Sequence, residues 1–128
     1  MTFCLDSWAV IAWLRGEEPA ATRVDEALAL GAVMSWISVG EVFCVMHRQA
    51  GPSRAEEVVD SLRLGLQLDE VTPERVVAAA SIKARSAMSY ADAFLCATAL
   101  AHDATILTGD DEILRADGPW TAEDLRRG

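Results

Sequence analysis

The chain has 128 residues, 52% of them hydrophobic, and a formal net charge of −9. That length and apolar content suit one compact domain, residues 1–128, and exclude intrinsic disorder. The acidic balance excludes a general nucleic-acid-binding surface, while leaving room for a nuclease that works through bound cations and for a basic partner.

No run approaches the ~18 uninterrupted apolar residues of a membrane span. The opening "MTFCLDSWAVIAWLRG" carries an early acid, without a basic leader or a small-residue cleavage site. It is expected to be the first strand and helix, not a signal peptide. Residues 2–5, "TFCL", predict a buried strand ending at Asp6, and "SWAVIAWLRG" a helix closing at Gly16. Pro19 opens a helix to about Leu30, and "AVMS" (32–35) predicts the second strand. From Ser38, apolar residues recur at helical spacing as Val39, Val42, Phe43 and Met46, until Gly51-Pro52.

Ser53 is expected to cap a helix to about Leu64, and "LQLDEV" (66–71) alternates like a strand. Thr72-Pro73 starts a helix to about Arg85, and Ser89 opens the apolar helix of "AMSYADAFLCATALA" (87–101). "ATIL" (104–107) predicts a fourth strand, and residues 111–116 a short helix. "GPW" reads as a turn with at most a brief last strand, and "TAEDLRRG" as a polar helical turn or frayed end. This alternation predicts an α/β fold with a mainly parallel sheet of four to five strands. Cys4, Cys44 and Cys96 form no CxxC pair and are expected to be reduced core thiols of a cytoplasmic protein.

Four acids fall at element ends. Asp6 follows the first strand and Asp110 follows "TILTG"; ligands of open parallel sheets bind at those carboxyl ends. Glu41 and Asp92 each lie three residues after a serine, in "SVGE" and "SYAD". Either acid alone fits a capping box, bonding back to its own helix start. Asp6 alone fits a helix cap, and Asp110 alone a turn residue. Four carboxylates meeting at one sheet edge repel unless a cation sits among them, and an all-oxygen donor set suits Mg²⁺ or Mn²⁺.

Four segments together resemble the PIN domain, specifically the VapC toxin type: "FCLDSWAVIAWL", "ISVGEVF", "SYADAFLCATA" and "TILTGDDEIL". The resemblance implies a three-layer α/β/α domain that cleaves RNA with Mg²⁺ or Mn²⁺. By matching position it assigns Asp6, Glu41, Asp92 and Asp110 as the catalytic acids, with Asp6, Asp92 and Asp110 on the metal and Glu41 binding metal or orienting water. Ser7 and Thr108 match supporting positions. It further implies a homodimer neutralised by a VapB-like antitoxin in a heterotetramer or larger assembly, whose basic C-terminal segment covers the groove.

Asp111 leaves the fourth acidic position open. Arg15 is a candidate phosphate contact, as are Arg48, Arg85 and Arg115, although a solvated surface suits each. Trp8 and Trp13 are expected in the core or a partner groove, and Trp36 is the best base-contact candidate. His47 and His102 read as partly exposed helix-end residues. A haloacid-dehalogenase-like phosphatase is excluded because Asp6-Ser7-Trp8 is not D-x-D, and a receiver domain because Lys83, the only lysine, falls in a helix. A PIN-like DNA nuclease or a catalytically silent interaction domain are the alternatives.

Overall fold

A computed structural model describes residues 1–126. The elements in chain order are β1 (Phe3–Leu5), α1 (Ser7–Leu14), α2 (Ala20–Leu30), β2 (Ala32–Ser35), α3 (Trp36–Ala50), α4 (Pro52–Gly65), β3 (Gln67–Asp69), α5 (Pro73–Arg85), α6 (Tyr90–Ala101), β4 (Thr105–Thr108), α7 (Asp111–Arg115) and β5 (Thr121–Asp124). The strands form a five-stranded sheet, β3-β2-β1-β4-β5, in which every pair is parallel.

Strand alternation divides the core between the two faces of the sheet. Phe3, Leu5, Met34 and Leu107 point to a core shared with Val10 and Ala12 of α1, Val24 of α2, Val39 and Val42 of α3 and Leu62 of α4. Cys4, Val33 and Ile106 point the other way, to Ile82 of α5, Phe94 and Leu95 of α6 and Ile113 of α7. Helices therefore cover both sides, in three layers. The chain leaves β1 toward β2 and β3, then returns to β4 on the other flank of β1. That reversal opens a crevice at the carboxyl ends of β1 and β4. Leu5 is in register with Leu107, so Asp6 and Thr108 emerge side by side.

Several boundaries differ from those expected. α3 begins at Trp36, not at Ser38, because Ser35 caps it and accepts from the Ile37 N–H at 3.1 Å. Glu41 therefore sits in the second turn, and "SVGE" is not a capping box. α4 begins at Pro52 behind Gly51, so Ser53 is inside the helix and does not cap it. β3 is only Gln67–Asp69. The tail expected to be a helical turn or frayed end instead forms β5, although Arg127 and Gly128 lie outside the described residues.

The sequence of β5 hides it because it is a half-buried edge strand with no apolar run. It is held from outside itself: Arg23 of α2 makes a two-pronged contact with Glu123, at 2.8 and 3.1 Å, and Leu125 is buried. Cys4 and Cys96 are buried thiols, but Cys44 is exposed, against the expectation of three core cysteines.

One glycine is fixed by close approach. A Cβ on Gly109, between β4 and α7, would lie 2.3 Å from the ring of Trp8. Trp8 packs against the first core and cannot swing away freely. Gly109→Ala is expected to destabilise the fold by about 2 kcal/mol, through overpacking. Urea unfolding measures this, and a cost below about 0.5 kcal/mol would contradict the packing described.

Candidate active site

Asp6 occupies the N-cap position of α1 yet makes no side-chain cap bond. Its carboxylate is turned to β4, where the buried Thr108 hydroxyl donates to Asp6 Oδ2 at 2.5 Å. The same Thr108 oxygen accepts from the Asp110 N–H at 2.9 Å. One hydroxyl thus sets two acids from adjacent strand ends. Ser7 Oγ lies 3.1 Å from Glu41 Oε1 and 3.4 Å from Asp6 Oδ1, joining α3 to the same group.

Asp92 lies in the first turn of α6, buried at 6% exposure. Ser89 performs the capping, accepting from the Asp92 N–H at 3.2 Å. The Asp92 carboxyl comes close to those of Asp110 and Glu112. Carboxylate oxygens of Asp92, Asp110 and Glu112 lie within 4.8 Å of one another. Asp110 also caps α7, with Oδ1 accepting from the Glu112 N–H at 2.9 Å. Capping and convergence are therefore compatible for Asp110.

The electrostatics follow from packing acids together in a partly dry crevice. Burial raises Asp6 above the ordinary carboxylate range, helped by the charge of Asp110 and opposed by the Thr108 and Ser7 hydrogen bonds. Burial likewise raises Glu41, with Asp6 and Asp110 adding to the shift and the Ser7 hydrogen bond opposing it. Burial, the hydrogen bond with Glu112 and the charges of Asp110 and Asp6 push Asp92 up to about 8. Glu112 is lowered as the acceptor of that bond. Among the described residues, no lysine or arginine makes an ion pair with Asp6, Glu41, Asp92 or Asp110. An uncompensated, all-oxygen donor set of this kind fits a hard divalent cation.

Other candidates lie elsewhere. Asp111 is drawn away by Arg126 at 2.7 Å and Arg115 at 3.9 Å, while Asp110 joins the acids. Arg15 follows the far end of α1, exposed and 3.8 Å from Glu17. It lines a cleft of about 620 Å³ with Trp8, Ile11, Gln49 and Arg126. Trp36 opens α3 at the end of β2, with Nε1 donating to Glu70 at 3.2 Å and the Arg63 guanidinium 4.8 Å from its ring. Trp8 and Trp13 both pack against the first core.

Sequence reasoning missed Glu112. Its signal was its place two residues after Asp110 in the first turn of the short helix, where an acid also reads as dipole compensation. It also missed a second polar cluster: Asp69, at the end of β3, receives both Arg75 prongs, at 2.7 and 3.2 Å, and lies 2.8 Å from His102 Nε2 and 3.4 Å from Thr98 Oγ1.

This fold and these acids coincide with a known family: the PIN domain family profile matches residues 3–119. The chain is 36% identical over 122 residues to ribonuclease VapC36 of Mycobacterium tuberculosis and, equally, to VapC ribonuclease Mb2004c of Mycobacterium bovis; each match covers 84% of this chain and 85% of the relative. The chain belongs to the PIN domain family and, within it, to the VapC type. Its fold is similar to that of VapBC2 from Rickettsia felis, solved bound to a DNA fragment from its promoter, with a TM-score of 0.78, 11% identity and coverage of 97% of this chain and 98% of that one. No helix among the described residues is long and apolar enough to cross a membrane.

Proposed function

We propose that this protein is a divalent-cation-dependent endoribonuclease, the toxin of a VapBC-type pair, restrained in the cytoplasm by a VapB-like antitoxin. The observation that carries the reading is the meeting of Asp6, Glu41, Asp92 and Asp110, from four elements, at the carboxyl ends of β1 and β4. The VapC ribonucleases to which the chain is 36% identical supply the substrate class.

Asp6, Asp92 and Asp110 would hold Mg²⁺ or Mn²⁺. When bound, the cation supplies charge neutralisation for the phosphate and a lowered pKa for attacking water. Glu41, braced by Ser7, orients that water or shares the cation. Thr108 keeps Asp6 and Asp110 at a fixed separation, so substrate does not have to organise the carboxylates. Asp6, Glu41 and Asp92, held above the ordinary carboxylate range by burial and in addition by one another's charge, would ionise more readily beside a bound cation.

A surface with net charge −9 suits a basic antitoxin segment better than free RNA, so inhibition by such a segment is electrostatically favoured. The family carries the expectation of a homodimer and a heterotetramer or larger assembly with antitoxin.

The test is cleavage of total RNA by purified protein in Mg²⁺ or Mn²⁺ against EDTA. The reading expects cleavage with either ion, loss in EDTA and recovery when the ion is returned. Cation-independent cleavage would overturn the metal role, cleavage of DNA alone would make the protein a DNA nuclease, and no cleavage of either would make it a silent interaction domain.

A further inference from the structure

The acids do not fill the carboxyl edge of the sheet. β2 lies beside β1, with Cys4 in register with Val33. Continued past both strands, that register sets Ser35 beside Asp6 and Trp36 beside Ser7. Trp36 therefore leaves the sheet at the same edge as the acids, one strand over, and neighbouring strands lie about 4.8 Å apart.

Trp36 is held in place from two sides. Its Nε1 donates to Glu70, just past β3, at 3.2 Å, and the Arg63 guanidinium of α4 lies 4.8 Å from the centre of its ring. The indole is half-buried against the first core, while Arg63 is exposed. Stacking uses the flat face of a guanidinium and leaves its N–H donors, which lie in the plane, free for an anion. None of those donors is committed to a carboxylate: among the described residues Arg63 makes no ion pair, although Asp60 stands one turn before it. By contrast Arg75 and Arg126, beside the ends of β3 and β5, are taken up by Asp69 and by Asp111 and Asp124.

We infer that Arg63, oriented by Trp36, is a substrate-binding residue that grips a backbone phosphate of the RNA strand a few nucleotides from the scissile bond. The inference rests on the nuclease reading and adds a subsite to it. A guanidinium matches a phosphate in charge and in the geometry of its fork, whereas it repels a basic antitoxin segment. With a net charge of −9, the surface otherwise disfavours the strand, and a grip beside the acids offsets that repulsion.

The test is the kinetics of cleavage of a fluorophore–quencher RNA 20-mer in Mg²⁺, repeated over a range of KCl. Arg63→Ala is expected to raise KM by about 10-fold with kcat within about 2-fold, because the contact is equal in ground and transition states. The slope of log kcat/KM against log salt should become shallower by about 0.7, the share of one phosphate contact on a single strand. Arg63→Lys keeps the charge without a flat face to stack, so it should keep the slope and raise KM by about 3-fold. Arg54→Ala removes the same charge from the exposed start of the same helix and should match wild type in both.

Wild-type KM and slope in Arg63→Ala would overturn the inference, as would a loss confined to kcat. Equal losses in Arg54→Ala would overturn it too, reducing the effect to net charge. Wild-type KM in Arg63→Lys would overturn the role given to Trp36. A wild type that cleaves no RNA would sink the nuclease reading and the subsite with it, a result distinct from the others.

Discussion

Asp92→Asn is expected to remove RNA cleavage and, in the same protein, to stabilise the cation-free fold. The amide keeps the shape of the carboxyl and can still donate to Glu112, but it carries no charge for a divalent ion. Loss of a ligating charge from such a centre should lower the cleavage rate by at least about 10³-fold. The stability effect has the opposite sign. Asp92 is pushed up to about 8 in the folded protein, from an ordinary 3.8. Above about pH 4 the unfolded chain has released this proton while the cation-free fold retains it. Stability therefore falls as pH rises from about 4 to 8, and the penalty is complete above that window.

Asn carries no such penalty. The variant should be more stable than cation-free wild type by about 1–3 kcal/mol at pH 8, with the gap narrowing toward pH 5. Urea unfolding in EDTA at the two pH values measures it. A variant that cleaves RNA normally, or that is less stable than wild type at pH 8, would be incompatible with a buried acid poised for a cation.

The second large effect lies outside the active site. Asp69 is buried, yet it sits below the ordinary carboxylate range: burial raises it, but the hydrogen bonds and charges of Arg75 and His102 outweigh that. The carboxylate ties β3 to the first turn of α5 and to the C-terminal end of α6. Asp69→Asn leaves the Arg75 guanidinium, with a side chain only 19% exposed, facing a neutral amide. The expected cost is about 2–4 kcal/mol at pH 7, since one member of a largely buried pair is removed.

The sign of the pH dependence is that of a depressed carboxylate. Its stabilisation is present above the unfolded value of 3.8 and is lost as pH falls through the lower folded value. The difference between wild type and Asp69→Asn should therefore shrink in acid. Chemical denaturation at pH 7 and pH 3 tests this; a cost under about 0.5 kcal/mol at pH 7 would show that the cluster is only a surface ion pair.

What was legible in the sequence follows from how local each signal is. "TFCL", "AVMS" and "ATIL" are largely apolar runs, and they read directly as central parallel strands, the last ending one residue further on, at Thr108. β5 was not legible: Thr121–Asp124 has a single small apolar residue, Ala122, pairs on one edge only and is held by Arg23, 100 residues away from Glu123. The start of α3 was misplaced because Ser35 and Ser38 can both cap; the strand that ends at Ser35 decides between them.

The acids were visible as residues at element ends, but their orientation was not. Asp6 and Asp92 both occupy positions where a side chain can bond back to its own helix, and neither does. The reasons lie in residues the fold brings from distant segments: Thr108 holds the Asp6 carboxylate, and Asp110 and Glu112 lie beside that of Asp92. Glu112 and the partners of Asp69 went unnoticed for the same reason: a charged residue in a helix turn looks solvated until its long-range neighbour is known.

The central claim is that these carboxylates face one another to bind a divalent cation. Titration calorimetry of Mn²⁺ into EDTA-stripped wild type, with Asp92→Asn alongside, tests it most directly. Saturable binding by wild type, with release of protons as the raised carboxyls ionise and with affinity lost in the variant, is the result predicted. Equal binding by both proteins, or none by either, would contradict it.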